Sequence, residues 1–245
     1  MRVCHAGRML RIGIIGWLSA GALLLPGLGR AQEGPRGHWA GSIDIPGQSL
    51  AFEVDLDKTA KGWIGSASIP LMNATGIPLD SIAQTDGKWI FEIKVGGANP
   101  TFAATLAADG ESMAGTLTQR GMVAPFTLKR TGDPKVELPK NSPPVTKEFI
   151  GTWEGTLDAG QRLRMILKIS NSETGSSGVF TSVDQGGAQI PVSGIEQKGT
   201  MLTLRVNAVG GDFTGEINKE GTEINGTWTQ VGMSFPLVLK KSGDQ

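Results

Sequence analysis

The stretch Gly151-Thr152-Trp153-Glu154-Gly155-Thr156-Leu157 decides the fold, and it has an upstream counterpart in Gly37-His38-Trp39-Ala40-Gly41-Ser42-Ile43. Each stretch opens a run of short segments in which apolar and polar residues alternate. Each run closes with a proline, apolar residues and two basic residues, at Pro125–Arg130 and Pro236–Lys241. The chain therefore contains one β-sheet unit in two copies, at a spacing of about 110 residues.

Alternation with a period of two residues predicts eight short strands in the first copy. The clearest example is 50–57, where every second residue is apolar. Pairs that favour tight turns, such as Asp86-Gly87 and Asp109-Gly110, separate the strands. The predicted strands are 37–45, 50–57, 63–69, 77–83, 89–95, 101–106, 113–118 and 123–128.

The second copy repeats the first, including its turns. Ile190-Pro191 corresponds to Ile77-Pro78, and Gly226–Gln230 corresponds to Gly115–Gln119. Between the copies the composition changes to proline and charged residues, which is typical of a semi-rigid linker. The predicted domains are a β-barrel module at 37–130, a Pro-rich linker at 131–147 and a second β-barrel module at 148–241.

Eight alternating strands joined by short turns form an antiparallel meander with one apolar face and two open edges. Closing the first strand onto the eighth buries the face and removes both edges. We therefore predict an all-β protein made of two tandem, small, eight-stranded antiparallel β-barrels. A barrel of this size holds its own side chains or one small ligand.

The Gly-x-Trp starts, Gly37-His38-Trp39 and Gly151-Thr152-Trp153, resemble the first strand of lipocalin and avidin-type barrels. The resemblance implies that each tryptophan plugs one end of its barrel and that a basic residue of the last strand covers the indole. In the first copy that residue is Arg130 or Lys129, and in the second it is Lys240 or Lys241. We assign Arg130 and Lys240 as the barrel-closing partners. The strands are shorter than those of lipocalins, and the only cysteine is Cys4, so no disulfide is expected.

A second resemblance covers both copies, more clearly the second. Gly151–Leu157, Ile190–Ser193 and Gly221–Gln230 are similar to the non-catalytic β module that precedes the hydrolase domain in some exported bacterial α/β-hydrolases. This resemblance implies an accessory role without catalysis.

Residues 1–31 have the pattern of a secretory signal peptide. Three arginines precede an apolar core at 12–28, and small residues allow cleavage near Ala31. The alternative is a membrane anchor, but the apolar run is short and contains Ser19 and Pro26. We predict a periplasmic or secreted protein with no membrane span in the mature chain.

Removal of residues 1–31 takes away four arginines and no acid. The remaining chain has 23 − 4 = 19 basic and 23 acidic residues, a net charge of about −4. A slightly acidic surface without a basic run argues against nucleic acid as a partner.

Residues that carry enzyme chemistry are sparse. A serine hydrolase needs Gly-x-Ser-x-Gly, and no such run exists. His38 is the only histidine after residue 31 and is expected at the surface or rim. Asp55 and Asp57 alternate with apolar residues on one strand and are expected to face solvent. We therefore predict no catalytic residue, no metal site and no cofactor.

Trp63 and Trp89 have no tryptophan counterpart in the second copy. They belong either to the barrel core or to the mouth of a ligand site. The sequence thus predicts an exported, non-catalytic protein that binds a small hydrophobic ligand or an envelope protein. The alternative is an accessory subunit or remnant of a secreted α/β-hydrolase of the serine esterase or peptidase type.

Overall fold

The computed structural model describes residues 34–93 and 99–242, and the predicted signal peptide lies outside these ranges. The described residues form strands connected by turns and three single-turn 3₁₀ helices. The prediction of an all-β protein is confirmed. No helix in the described ranges is long and apolar enough to cross a membrane.

The first module is a closed barrel of eight antiparallel strands, as predicted. Each strand pairs with the next, and the last pairs back onto the first, with Ile43 opposite Phe126. Closure leaves the first module without an unpaired outer strand. The strands are β1 Gly37–Ile45, β2 Gln48–Thr59, β3 Gly62–Ile69, β4 Ala74–Thr85, β5 Lys88–Ile93, β6 Thr101–Leu106, β7 Ser112–Gln119 and β8 Met122–Gly132.

The second module differs from the prediction. It is a nine-stranded antiparallel sheet that ends at two edges, so the expected second closed eight-stranded barrel is wrong in this respect. The order across the sheet is β12-β11-β10-β9-β17-β16-β15-β14-β13. The strands are β9 Gly151–Asp158, β10 Arg162–Ser172, β11 Gly175–Ser182, β12 Ala188–Pro191, β13 Gly194–Lys198, β14 Met201–Val206, β15 Gly211–Ile217, β16 Glu223–Gln230 and β17 Met233–Ser242.

The extra strand arises because the counterpart of β4 is split. In the first module β4 pairs with β3 through its first half and with β5 through its second half. In the second module the same exchange of partners interrupts the strand. Val192 N donates to Gly178 O of β11 at 2.9 Å, and Ser193 N donates to Arg205 O of β14 at 2.7 Å. Strands β12 and β13 are therefore the two halves of the fourth strand of the repeat.

Each module has its own core, formed by the alternate side chains that point inward. The core of the first module is dominated by Trp39, Phe52, Phe91, Phe102 and Phe126. The core of the second contains Trp153, Phe180, Phe213, Trp228 and several leucines. Two residues that precede β9, Val145 and Phe149, also belong to the second core.

The segment between the modules, 133–150, is named the strap here because it is bonded to both modules. On the first module, Lys135 N donates to Asp55 Oδ1 at 2.7 Å and Glu137 N donates to Ser66 Oγ at 3.0 Å. The strap therefore lies along the outer face of β2 and β3.

On the second module the strap occupies the space beside β11 and β13. Ser142 forms a two-way backbone bridge with Ser176 of β11, at 2.8 and 2.7 Å. Its hydroxyl accepts a hydrogen bond from Ile195 N of β13 at 2.7 Å. One strap residue thus joins two strands that do not pair along the sheet.

Candidate functional site

The tryptophan of β1 closes one end of the first barrel. Trp39 is fully buried, and its Nε1 donates to Pro35 O at 2.8 Å. The Arg130 guanidinium lies over the indole, 4.7 Å from the ring centroid, because Trp39 and Arg130 are register partners of β1 and β8. Arg130 also donates to Gly110 O at 3.0 Å and to Arg36 O. This cation–π contact holds the Trp39 indole in place, and the indole plugs this end of the barrel.

The second module has the same plug, with one correction. Trp153 is fully buried, and its Nε1 donates to Phe149 O at 3.0 Å. The cation over its ring is Lys241, at 5.2 Å, and not Lys240. The β17–β9 register decides this, since Lys241 is the partner of Trp153 whereas Lys240 is the partner of the next residue. Lys240 instead lies 4.0 Å from a carboxylate oxygen of Glu223 on the exposed face.

Trp63 and Trp89, the two candidates for a ligand mouth, contact each other. Their ring centroids are 5.0 Å apart in an edge-to-face arrangement. Gly34 lies against both rings, since a Cβ placed on it would be 2.9 Å from each. Trp89 is buried and Trp63 packs against the same core. The pair is therefore covered by the segment that leads into β1.

The interior of the first barrel is occupied by stacked phenylalanines. Phe102 lies between Phe52 and Phe91, with centroid distances of 4.9 and 4.8 Å and nearly parallel planes. Phe126 meets Phe102 edge-on at 5.5 Å. The interior of the barrel is thus occupied by the protein's own side chains. The lumen predicted as one possible place for a hydrophobic ligand is thus lined by rings in mutual contact.

His38 and Asp55 form a side-chain pair on the outer face of the first barrel, next to the strap. His38 Nδ1 is 2.9 Å from Asp55 Oδ1, and the same oxygen accepts the strap amide of Lys135. The expectation that Asp55 faces solvent is wrong, because the strap covers it and leaves it 7% exposed. Asp57 pairs with Arg36 at 2.7 Å. Within the described ranges, no group of three or more His, Cys, Asp or Glu side chains is placed to hold a metal ion.

The two modules meet at β4, at a junction that the sequence does not predict. A 3₁₀ turn of the second module, Asn207–Val209, lies against β4, and Ala208 packs on the core of the first module. Gly210 follows at φ +58, and a Cβ there would be 2.5 Å from Met72 O. Only glycine allows both this backbone conformation and this approach.

A cavity of about 200 Å³ lies at the junction. It separates β4 from β11 and β12, and a larger polar groove of about 350 Å³ runs nearby between Gly76, the strap and Ser193. The repeated Ile-Pro pairs, which sequence analysis matched to each other, carry Pro78 and Pro191 on opposite walls of the cavity. The sequence shows this correspondence, but it does not show that the two strands face each other. The cavity is lined by Pro78, Leu79, Asp80, Val179, Gln189 and Pro191.

Large apolar side chains are exposed on loops beside the same junction. Leu71 and Met72, between β3 and β4, are 72% and 46% exposed, and Val231 and Met233, at the β16–β17 turn, are 58% and 57% exposed. These four residues are named the apolar loop group. Gly210 links the two pairs, because it contacts Met72 and precedes Gly211, which pairs with Gln230 beside Val231.

The β16–β17 turn holds Val231 in a strained conformation. Its φ is 49°, in the left-handed region that β-branched residues rarely adopt. The equivalent turn of the first module places Arg120 at φ 48° and exposes Met122 and Val123. Apolar side chains are thus exposed at the same turn of the repeat in both modules.

A surface ion pair holds the start of the β11–β12 connection. Arg164 donates to Asp184 through both Nε and Nη2, at 3.0 and 2.7 Å, and its backbone amide donates at 2.7 Å. The side-chain hydrogen bond with Arg164 lowers the pKa of Asp184 and, reciprocally, raises that of Arg164. The pair is solvent-exposed, so its effect on stability is small.

No protein-family model and no curated protein matches the sequence. Among solved structures, the chain is similar to a protein of unknown function of the DUF3598 family from Nostoc punctiforme, at 12% identity and a TM-score of 0.22, over 86% of this chain and 96% of that one. It is also similar to the isotype 1 transferrin binding protein B of serogroup B Neisseria meningitidis, at 12% identity and a TM-score of 0.23, over 79% of this chain and 52% of that one. With TM-scores this low, neither similarity supports an argument about this chain.

Proposed function

We propose that the protein is an exported, non-catalytic tandem β module that binds a partner protein through the apolar loop group. The observation that carries the proposal is the position of the four side chains. Leu71 and Met72 belong to one module and Val231 and Met233 to the other; Gly210 lies against Met72, and the adjacent Gly211 pairs with Gln230, the residue before Val231. Exposed apolar side chains gathered on neighbouring loops are typical of interaction surfaces.

The barrel interior supports a partner protein over a ligand held inside a barrel. The stacked rings of Phe52, Phe91 and Phe102 fill the first barrel, and Trp39 closes one end of it. The residues proposed for a mouth, Trp63 and Trp89, lie beneath Gly34. A hydrophobic ligand would have to displace side chains that are already packed, which costs several kcal/mol per large side chain, on the order of 3–5.

The charge around the loop group favours a protein over an anionic surface. The four residues of the apolar loop group carry no charge, whereas the equivalent turn of the first module contains Arg120. Interfaces of this kind rely on apolar burial with few charged residues at their centre. An accessory role beside a secreted hydrolase is one form of the same proposal, with the enzyme as the partner.

The test is chemical cross-linking and capture from the cell envelope of the native host. The wild-type protein is compared with a variant that carries Met72→Ser, Val231→Asn and Met233→Ser. We expect one partner to be recovered in stoichiometric amounts with the wild type and to be reduced at least tenfold with the variant. The matched control is Val238→Ser, because Val238 is an exposed strand residue (38%) away from the loop group.

Equal recovery by the wild type and the loop variant would overturn the proposal. Two further measurements address its other parts. N-terminal sequencing of the exported product is expected to begin at Gln32. Generic ester and peptide substrates are expected to give no turnover that depends on His38, the histidine paired with Asp55.

A further inference from the structure

We infer that the junction cavity binds one small, neutral aromatic ring that carries a hydrogen-bonding substituent. This site goes beyond the proposed partner surface and does not depend on it. The cavity volume is about 200 Å³. A dry apolar cavity of about 150 Å³ is large enough to take up benzene. One substituted ring therefore fits, whereas a lipid chain or a larger cofactor does not.

Four of the six lining residues are apolar, and the two polar ones are Asp80 and Gln189. Pro78 of β4 and Pro191 of β12 both line the cavity. Proline has no N–H, so neither strand presents a backbone donor to the cavity at that point. Leu79 and Val179 add aliphatic carbon on either side. The apolar pyrrolidine rings and these side chains together suit the faces of an aromatic ring.

The cavity is formed by equivalent residues of the two modules, one set from each copy of the repeat. Pro78 and Pro191 are equivalent residues of the two modules, so the cavity lies where the same strand of each copy faces the other. It therefore exists only in the tandem arrangement. A ligand in the cavity contacts both modules at once and favours the joined state by its own binding free energy.

The polar rim sets the class of ligand. Gln189 is exposed at the rim and offers an amide that donates and accepts. None of the six lining residues is basic and Asp80 is acidic, so a carboxylate or phosphate on the ligand finds no ionic partner there and meets a like charge. Phenols and hydroxylated or carbonyl-bearing rings meet these requirements, and aromatic acids do not.

The experiment is a titration of the protein with p-cresol, followed by methyl NMR of leucine and valine side chains. We expect saturable shifts that are largest at Leu79 and Val179, with a Kd of about 1 mM, which is usual for a ligand of so few atoms. Toluene, which lacks the hydroxyl, is expected to bind about fivefold more weakly because it cannot engage Gln189. Benzoate is expected to produce no saturable shift.

Three variants separate this site from non-specific binding. Val179→Phe fills the cavity and is expected to abolish the shift at Leu79, while Val238→Phe, on a similarly exposed strand position, leaves binding unchanged. Gln189→Leu is expected to remove the difference between p-cresol and toluene. Near-ultraviolet circular dichroism confirms that each variant is folded. The inference is overturned by shifts that do not saturate, by shifts centred elsewhere, or by unchanged binding in Val179→Phe.

Discussion

The two modules have the same order of turns and the same tryptophan plug, yet one closes and the other ends in two edges. The difference lies in the fourth strand. In the first module β4 exchanges β3 for β5 at Pro78–Leu79, with register shifts that absorb the change. In the second module the exchange follows Pro191 and breaks the strand at Val192-Ser193. Closure therefore depends on whether one strand can change partners without interruption, and the number of strands does not decide it.

The strap compensates for the break. In the first module it lies on the outside and covers Asp55 and Ser66. In the second it joins β11 to β13 through Ser142, where the sheet itself does not. The closed module is thus covered by the strap, whereas the open module is completed by it.

The largest expected effect concerns the feature that the two modules share, the tryptophan plug. Trp39→Ala and Trp153→Ala each remove a fully buried indole, its hydrogen bond and its contact with the cation above the ring. Each is expected to lower the free energy of unfolding by about 3–5 kcal/mol. Urea denaturation followed by circular dichroism measures the loss. A difference of more than about 2 kcal/mol between the two variants would show that the plugs are not equivalent.

The second prediction tests the difference in how the strap contacts the two modules. Ser142→Ala removes the hydroxyl that accepts the hydrogen bond from Ile195 N. Ser66→Ala removes the hydroxyl of the first module that accepts the hydrogen bond from Glu137 N. Each loss is expected to cost about 1–3 kcal/mol. Hydrogen exchange should accelerate along β13 in Ser142→Ala, whereas Ser66→Ala should leave all strands of the closed barrel protected. Equal exchange patterns in the two variants would contradict the role assigned to Ser142.

A third prediction concerns the equivalent β-turns. Val231→Asn relieves a β-branched residue from the left-handed region and is expected to stabilise the protein by about 0.5–1 kcal/mol. Arg120→Asn in the first module is expected to give less, since arginine is not branched at Cβ. Thermal unfolding of both variants checks the order. No gain in Val231→Asn would mean that the turn holds no strain.

The smallest effect is a pH dependence confined to the second module. Folding lowers the pKa of Asp184 through its hydrogen bonds with Arg164. The resulting stabilisation is fully present above the ordinary Asp pKa of 3.8 and is lost as pH falls through the lower folded value. Asp184→Asn should lower the stability slightly and by a constant amount above about pH 4, including at pH 7, and the difference from the wild type should disappear as pH falls below that value. Urea titrations at several pH values test this, with Asp158→Asn as a surface control.

The sequence predicted the features that depend on local alternation and turns. The strand positions, the repeat and the burial of Trp39 and Trp153 follow from residues within one module. Asp55 was misplaced because its cover comes from the strap, and a period-two pattern carries no information on what packs over the outer face. Lys240 was chosen over Lys241 because a shift of one residue in register is invisible in a run of two lysines.

The junction was beyond sequence reasoning for a similar reason. The Ile-Pro pairs were visible as matching positions, but nothing in either one indicates that the two strands face each other. Gly210, which permits the approach, looks like any other turn glycine in the chain. The apolar loop group was missed because single exposed apolar residues are common, and only the fold shows that four of them lie beside one junction.

The position of the strap along the chain also affects biosynthesis. All eight strands of the first barrel lie within 37–132, so that barrel can form before the residues of the second module emerge on the side where the chain folds. Ser142, which bridges β11 and β13, precedes both strands in the chain. It is therefore already in place when those strands form. The second module then folds against a segment that is already anchored on the first barrel, which shortens the time during which its unpaired β13 edge can meet another chain.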